Sequence, residues 1–277
     1  MPDSAIPTGG EPTTPGPSPI VVCADDYGSS AATSAVVRQL LASGRINATT
    51  CLVEAGPWTA EARALRDLGD AHRGVAIGLH LNLTEALANS FDASLIAPIA
   101  SHIARAFLPV RTQYENAVHA AFRAQWDAFV DGFGRAPDFV DGHEHVHLFP
   151  APRRALFRLA AETGFAGWVR QCRTTSARPS LKRLILDPLS LRFAREARAR
   201  GLATNPGFGG LRRFDPTEDV ASLWRTDLAA MAEGGLLMVH PGAAAAGRAG
   251  QCRYQEARML ASLDLAMAED ARQPWRG

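Results

Sequence analysis

Four short segments of the chain collect the residues that could do chemistry. Asp25-Asp26 follows the apolar run Ile20 to Ala24, and His80 interrupts the apolar run GVAIGLHLNL. His143-Glu144-His145-Val146-His147 follows Asp141-Gly142, and His240 precedes Pro241-Gly242. Adjacent carboxylates after a strand can point in different directions, one to a metal and one to a reacting water. The competing use of an aspartate there is to cap the next helix. Ser29 and Ser30 are available for that task, which leaves the aspartates less explained by it. His143, Glu144 and His147 fit HExxH formally, a zinc pattern when it lies on a helix. Strand character from Pro137 to Asp141, then Gly142 and Pro150, leaves little room for a helix. In an extended chain the period of two puts Asp141, His143, His145 and His147 on one face. Such a face suits one metal and the groups behind it; a histidine-rich surface loop is the alternative. His80 alone would be a core histidine, but beside the aspartate pair and the histidine cluster it becomes the expected third ligand. An Asp/His/His set leaves open positions for water and substrate. His240 is either a loop histidine or a general acid.

The elements that must position these residues alternate strand and helix. Short apolar runs predict strands at Ile20–Ala24, Ile46–Val53, Val75–Leu83, Asp138–Asp141, Phe165–Val169, Leu202–Asn205 and Leu236–Val239. Helical patterns fall between them: one capped by Ser29 or Ser30 and stopped by Gly44, one opened by Pro57, and others over Gln113–Val130, Arg153–Glu162, Leu184–Ala199, Glu218–Ala232 and Gln255–Met267. Residues Thr84 to Pro98 read as a loop. Strict alternation implies parallel pairing, so the expected fold is α/β, a distorted (β/α) barrel of about seven parallel strands in one domain over residues 20–277. The chemical residues then all sit at carboxyl ends of strands, where such folds gather their chemistry.

Composition excludes several classes. The 277 residues carry 29 Lys and Arg against 28 Asp and Glu, which gives no electrostatic case for nucleic acid. The apolar runs fall far short of the roughly 18 residues of a transmembrane segment. Residues 1–19, rich in Pro, Gly, Ser and Thr, are expected to be a disordered tail without the features of a signal peptide. Cys23, Cys51, Cys172 and Cys252 form no CxxC pair and are expected to be reduced thiols in the cytoplasm. The sequence leaves a homo-oligomer open.

The runs ADDYG, GLHLNLTE, PDFVDGHEHVHLFP and VHPG, in this order between Ile20 and Gly242, resemble the YdjC-like carbohydrate deacetylase family. That family includes chitooligosaccharide deacetylases and a branch associated with hopanoid biosynthesis. The resemblance implies a distorted barrel and metal-dependent hydrolysis of an N-acetyl group from an amino sugar, with acetate released. It makes Asp26, His80 and His143 the metal ligands, Asp25 the catalytic base and His240 the general acid. Arg170 would orient the base, and His145 and His147 would stand behind the ligands or meet substrate. Two departures are Tyr27, where phenylalanine is usual, and the missing proline near Arg170.

The implied cofactor is one divalent cation, Mg²⁺ or Zn²⁺, with Co²⁺ and Ni²⁺ also compatible with an O/N/N ligand set. The partner would be an N-acetylated carbohydrate or a glycolipid head group. Residues Thr84 to Pro109 and Arg173 to Lys182 are expected to shape the pocket, and Phe208 and Trp224 are either sugar-stacking rings or core. Two other classes remain beside this reading. One is a different metal-dependent amidohydrolase or phosphoesterase, which would place an HxH pair on the first strand where this chain has Asp25-Asp26. The other is a non-catalytic sugar-binding barrel, which would tolerate loss of Asp25 or of a ligand.

Overall fold

β1 (Ile20–Tyr27) is buried along almost its whole length, as its run of β-branched residues requires of a strand covered on both faces. In the computed structural model, which describes residues 20–275 apart from 57, 107, 110, 177–180 and 232–233, β1 pairs in parallel with the second strand on one side and the eighth on the other. The expected tail over residues 1–19 and the expected helix opening at Pro57 lie outside the described residues.

The chain continues through α1 (Ala31–Ala42), β2 (Ala48–Cys51), α2 (Trp58–Ala71) and β3 (Ala76–Leu81). After a long irregular segment come α3 (Ile99–Ala106), α4 (Thr112–Phe133) and β4 (Phe139–Gly142), then a 3₁₀ turn over His143–Leu148. α5 (Pro150–Thr163), β5 (Trp168–Val169), α6 (Leu181–Arg198), β6 (Ala203–Thr204) and β7 (Phe208–Gly209) follow, and α7 (Val220–Ala230), β8 (Gly235–Val239) and α8 (Gly247–Ser262) close the order. The sheet runs β6-β5-β4-β3-β2-β1-β8-β7, with every pairing parallel. It curls into a distorted (β/α) barrel in a single domain, with β6 and β7 as its two edges.

The boundaries follow local chemistry. Ser30 caps α1 by accepting from the Thr33 amide. α4 and α5 end where Gly134 and Gly164 take left-handed backbone that a side chain would resist. The sheet holds eight strands rather than about seven. The additional one, β7, is two residues long, and so short a segment carries no periodicity to detect. Phe208 lies in it with no exposed surface, and Trp224 on α7 is 2% exposed, so both rings belong to the core.

Two stacked rings and a glycine lock the strands that carry the site. The ring of Phe139 on β4 stacks on Trp168 of β5, with centroids 4.0 Å apart and planes at 1°. Gly78 on β3 lies directly behind it, where a Cβ would come within 2.5 Å of the Phe139 ring. Gly78→Ala therefore overpacks a closed layer and should cost about 1–3 kcal/mol. Urea unfolding should show a lower midpoint with an unchanged m-value; an unaltered midpoint would contradict the packing described.

Candidate active site

Asp25 and Asp26 lie where β1 loses its regular register with β2, between Ala24 and Tyr27. Asp26 takes a left-handed backbone, φ 66°, which an L-residue adopts only under constraint. The irregularity aims the two carboxylates apart.

Asp25 is gripped by Arg170, just beyond β5. Arg170 Nη1 donates to Asp25 Oδ2 and Nη2 to Oδ1, both at 2.7 Å. The same guanidinium lies 2.7 Å from Asp141 Oδ2. Burial alone would lower the Arg170 pKa, but Asp141 and Asp25 outweigh it and raise it. Asp141 in turn holds His80: its Oδ1 lies 2.6 Å from His80 Nδ1 and accepts from the Thr50 hydroxyl at 2.8 Å. With Nδ1 occupied, His80 presents Nε2 to Asp26 Oδ1 at 3.4 Å. His143 Nδ1 meets the same oxygen at 3.0 Å, while its Nε2 faces Glu85 at 3.3 Å. The other oxygen of Asp26 accepts from Arg253 Nη2 at 2.5 Å.

Asp26, His80 and His143 thus offer donor atoms within 4.8 Å of one another. Asp25, His80 and Asp141 satisfy the same geometric test. That second set is a poor cation site, because the Arg170 guanidinium already occupies both oxygens of Asp25 and one of Asp141. The first set fits a divalent cation by its donor chemistry. It offers a carboxylate and two imidazoles, one of them backed by Asp141 in the carboxylate–histidine arrangement common behind metal ligands. Charge says the same. Burial would lower His80 and His143, but Asp141 raises His80 to about 9 and Asp26 raises His143 to about 10. Burial would raise Asp26, yet His143, His80 and Arg253 hold it well below the carboxylate range. Without a metal, protons supply the positive charge that this carboxylate demands.

The histidine cluster departs from the extended arrangement expected of it. β4 stops at Gly142, and residues 143–148 form a 3₁₀ turn in which Glu144 and His145 are left-handed, φ 49° and 62°. Asp141, His143, His145 and His147 therefore do not share a face. His143 points to Asp26, and His145 lines the pocket with Nδ1 3.4 Å from Cys172 Sγ. His147 is fully buried and donates from Nε2 to the Arg170 carbonyl at 2.8 Å, so it braces Arg170 and does not line the pocket. Burial lowers its pKa to about 4 and keeps it neutral. Glu144 is exposed at the pocket rim, in no position to act as the glutamate of a helical HExxH site.

His240 follows β8 and faces Asp25 Oδ2 from Nε2 at 4.0 Å. Its amide donates to Glu256, a carboxylate buried with Arg212. Burial lowers the His240 pKa to about 4 against the opposite pull of Asp25 and Asp26. Asp25, Asp26, His80, His143, His145 and His240 all line one pocket of about 470 Å³. Much of its wall is apolar, including Ile99, Ile103, Phe149, Ile185, Leu211 and Phe214. Ile99 and Ile103 come from α3, inside the segment expected to shape the pocket, and Lys182 comes from the other.

Sequence reasoning missed Arg253, Glu85 and the Arg212–Glu256 pair. Glu85 stands at the end of the GLHLNLTE run, where its place beside His80 was the available signal. Arg253 lies within α8 among residues with no unusual pattern, so only the fold brings it to Asp26.

For the metal-free protein the raised pKa values set the sign of a pH effect. A histidine titrating near 6.5 when unfolded and at about 9 or 10 when folded stabilises fully below pH 6.5 and loses that contribution as pH rises through the folded values. Chelated protein should therefore lose stability between pH 6.5 and 10, and Asp26→Asn should flatten the slope. Denaturant midpoints across that range check it; identical slopes in both proteins would contradict the assignment.

Comparison with known proteins bears on the same residues. The profile of a family described as YdjC-like protein matches residues 19–270. A chitooligosaccharide deacetylase of Citrobacter koseri is 28% identical over 153 residues, 53% of this chain and 57% of that protein. One from Salmonella typhi matches with the same identity and coverage. The chain thus spans little more than half the length of these curated relatives. A solved structure from Enterococcus faecalis V583, named as a candidate cellobiose-phosphate cleavage protein, superposes with a TM-score of 0.58 at 20% identity. It covers 88% of this chain and 90% of its own, and the likeness bears on the fold.

Proposed function

The chain belongs to the YdjC-like protein family, and on that premise we propose that it hydrolyses the N-acetyl group of an amino sugar, releasing acetate. The substrate would be an N-acetylglucosamine-type oligosaccharide or glycolipid. One arrangement carries the reading: a carboxylate clamped by an arginine, a three-donor cation site beside it and a histidine 4.0 Å away, all in one pocket. The names of the matched relatives support the same chemistry on carbohydrate.

Asp26, His80 and His143 would hold one divalent cation, Mg²⁺ or Zn²⁺, with Co²⁺ and Ni²⁺ also compatible. Such an ion supplies Lewis-acid polarisation of the acetamide carbonyl and makes water a better acid. The remaining work falls to the chain. Asp25, its two oxygens fixed by Arg170, takes the proton of the attacking water. The leaving amine is too basic to depart unprotonated, and His240 is the group placed to protonate it. Burial keeps His240 neutral at rest, so its proton has to arrive during the reaction, and Asp25, 4.0 Å away, would pass one on through an intervening water. His145 contacts substrate from the pocket wall, and Arg170 and His147 act only through Asp25. The apolar walls suit the acetyl methyl and the apolar faces of sugar rings.

All four cysteines are free and buried, which suits action in the cytoplasm. No helix among the described residues is long and apolar enough to cross a membrane.

The test is acetate release from a panel of N-acetylated oligosaccharides and glycolipids. Release should depend on added divalent metal. Asp25→Asn should retain bound metal yet lose about 10²–10⁴-fold in rate. Full activity in that variant, or sugar binding without any turnover by the native chain, would overturn the reading.

A further inference from the structure

α6 carries an exposed face that the core does not use and that meets the pocket at Leu181 and Lys182. Leu181, Leu184 and Leu191 are 77%, 74% and 48% exposed, at a spacing that aligns them along one side of the helix. The other exposed positions of α6 are Pro188 and four bases, Lys182, Arg192, Arg195 and Arg198; no acidic residue of the helix is exposed. Arg192 shares its charge with Glu196, and Lys182 donates to the Arg212 carbonyl. The same helix borders the active-site pocket through Leu181, Ile185 and Leu186. A second element of the pocket rim repeats the combination. Beyond α3, which lines the pocket through Ile99 and Ile103, Leu108 is 62% exposed between the exposed Arg105 and Arg111.

We propose that the exposed leucine-and-arginine face of α6, together with Leu108 and its flanking arginines, seats the pocket mouth on an anionic lipid surface. Leucines lying flat among bases are what an interfacial helix needs. The apolar side chains enter the acyl boundary, while Lys and Arg keep their charges among the head groups. The charge complement is one-sided, since the exposed part of the helix holds four bases and no acid. Each base near such a surface adds to the attraction, and salt screens it. A protein partner fits less well. The exposed face of α6 has no tryptophan or tyrosine to serve as an anchor, and a folded protein over Leu181 would close the pocket mouth. A bilayer instead presents head groups to it. The proposal is independent of the deacetylase reading, because vesicle binding is measured without turnover.

The experiment is co-sedimentation of the full chain with phosphatidylglycerol-containing vesicles and with pure phosphatidylcholine vesicles, at low and high salt. Binding should be confined to the anionic vesicles and weaken as salt rises. The double variant L184E/L191E, at positions that do not line the pocket, should bind at least about 10-fold more weakly, and Arg195→Gln with Arg198→Gln should reduce binding and its salt dependence. Circular dichroism and gel filtration establish that each variant is folded. No sedimentation of the native chain, or equal sedimentation of all variants, would overturn the proposal. So would a native dimer that the leucine variants convert to monomer, since a second copy would then cover the face.

Discussion

A single buried guanidinium organises the candidate site. Arg170 is 1% exposed, and the two carboxylates it meets offset the cost of bringing its charge out of water. Asp25 and Asp141 both close on it at 2.7 Å, and the two carboxylates then serve different ends. Asp25 has both oxygens fixed and faces the pocket, while Asp141 hands its other oxygen to His80 and so decides which imidazole nitrogen points at Asp26. His147 holds the carbonyl of the same arginine from below. Deleting either carboxylate would leave the guanidinium with the other as its buried carboxylate partner. The ends of β1, β3 and β4 are thereby tied together by charge as well as by the sheet.

Strain collects in the same place. Among the described residues, Asp26, Glu144, His145 and Phe214 are the non-glycine positions with positive φ, and all four line the pocket. At Asp26 the distortion turns one carboxylate toward His80 and His143 while its neighbour keeps to Arg170. After Gly142 it breaks the strand so that His143 enters the pocket and His147 goes beneath it. The backbone is held off its preferred conformations by the packed layers around Phe139 and Trp168 and by the ion pairs it serves to aim.

How much of this was legible in the sequence divides along physical lines. Long periodic segments such as α4, and the β-branched run of β1, announced their type and place, because both rest on local pattern. β7 did not, being two residues held by its neighbours. The proposed ligands and base could be read because each sits at or just past the carboxyl end of a strand, where parallel sheets expose side chains. The expected extended face of Asp141, His143, His145 and His147 failed because two left-handed residues reset the direction of the chain, and no propensity of Glu144 or His145 predicts that. Arg253 reaches Asp26 across 227 positions, and contacts of that range depend on the closed fold rather than on any local signal.

Asp26, His80 and His143 would form the cation site, with Arg170 keeping Asp25 and Asp141 out of it. Anomalous X-ray diffraction from crystals of the chain soaked in Zn²⁺ or Co²⁺ tests this directly. One strong peak bonded to Asp26, His80 and His143 is expected, with Asp25 still paired to Arg170. A peak bonded to Asp25 and Asp141, with Arg170 displaced, would contradict it.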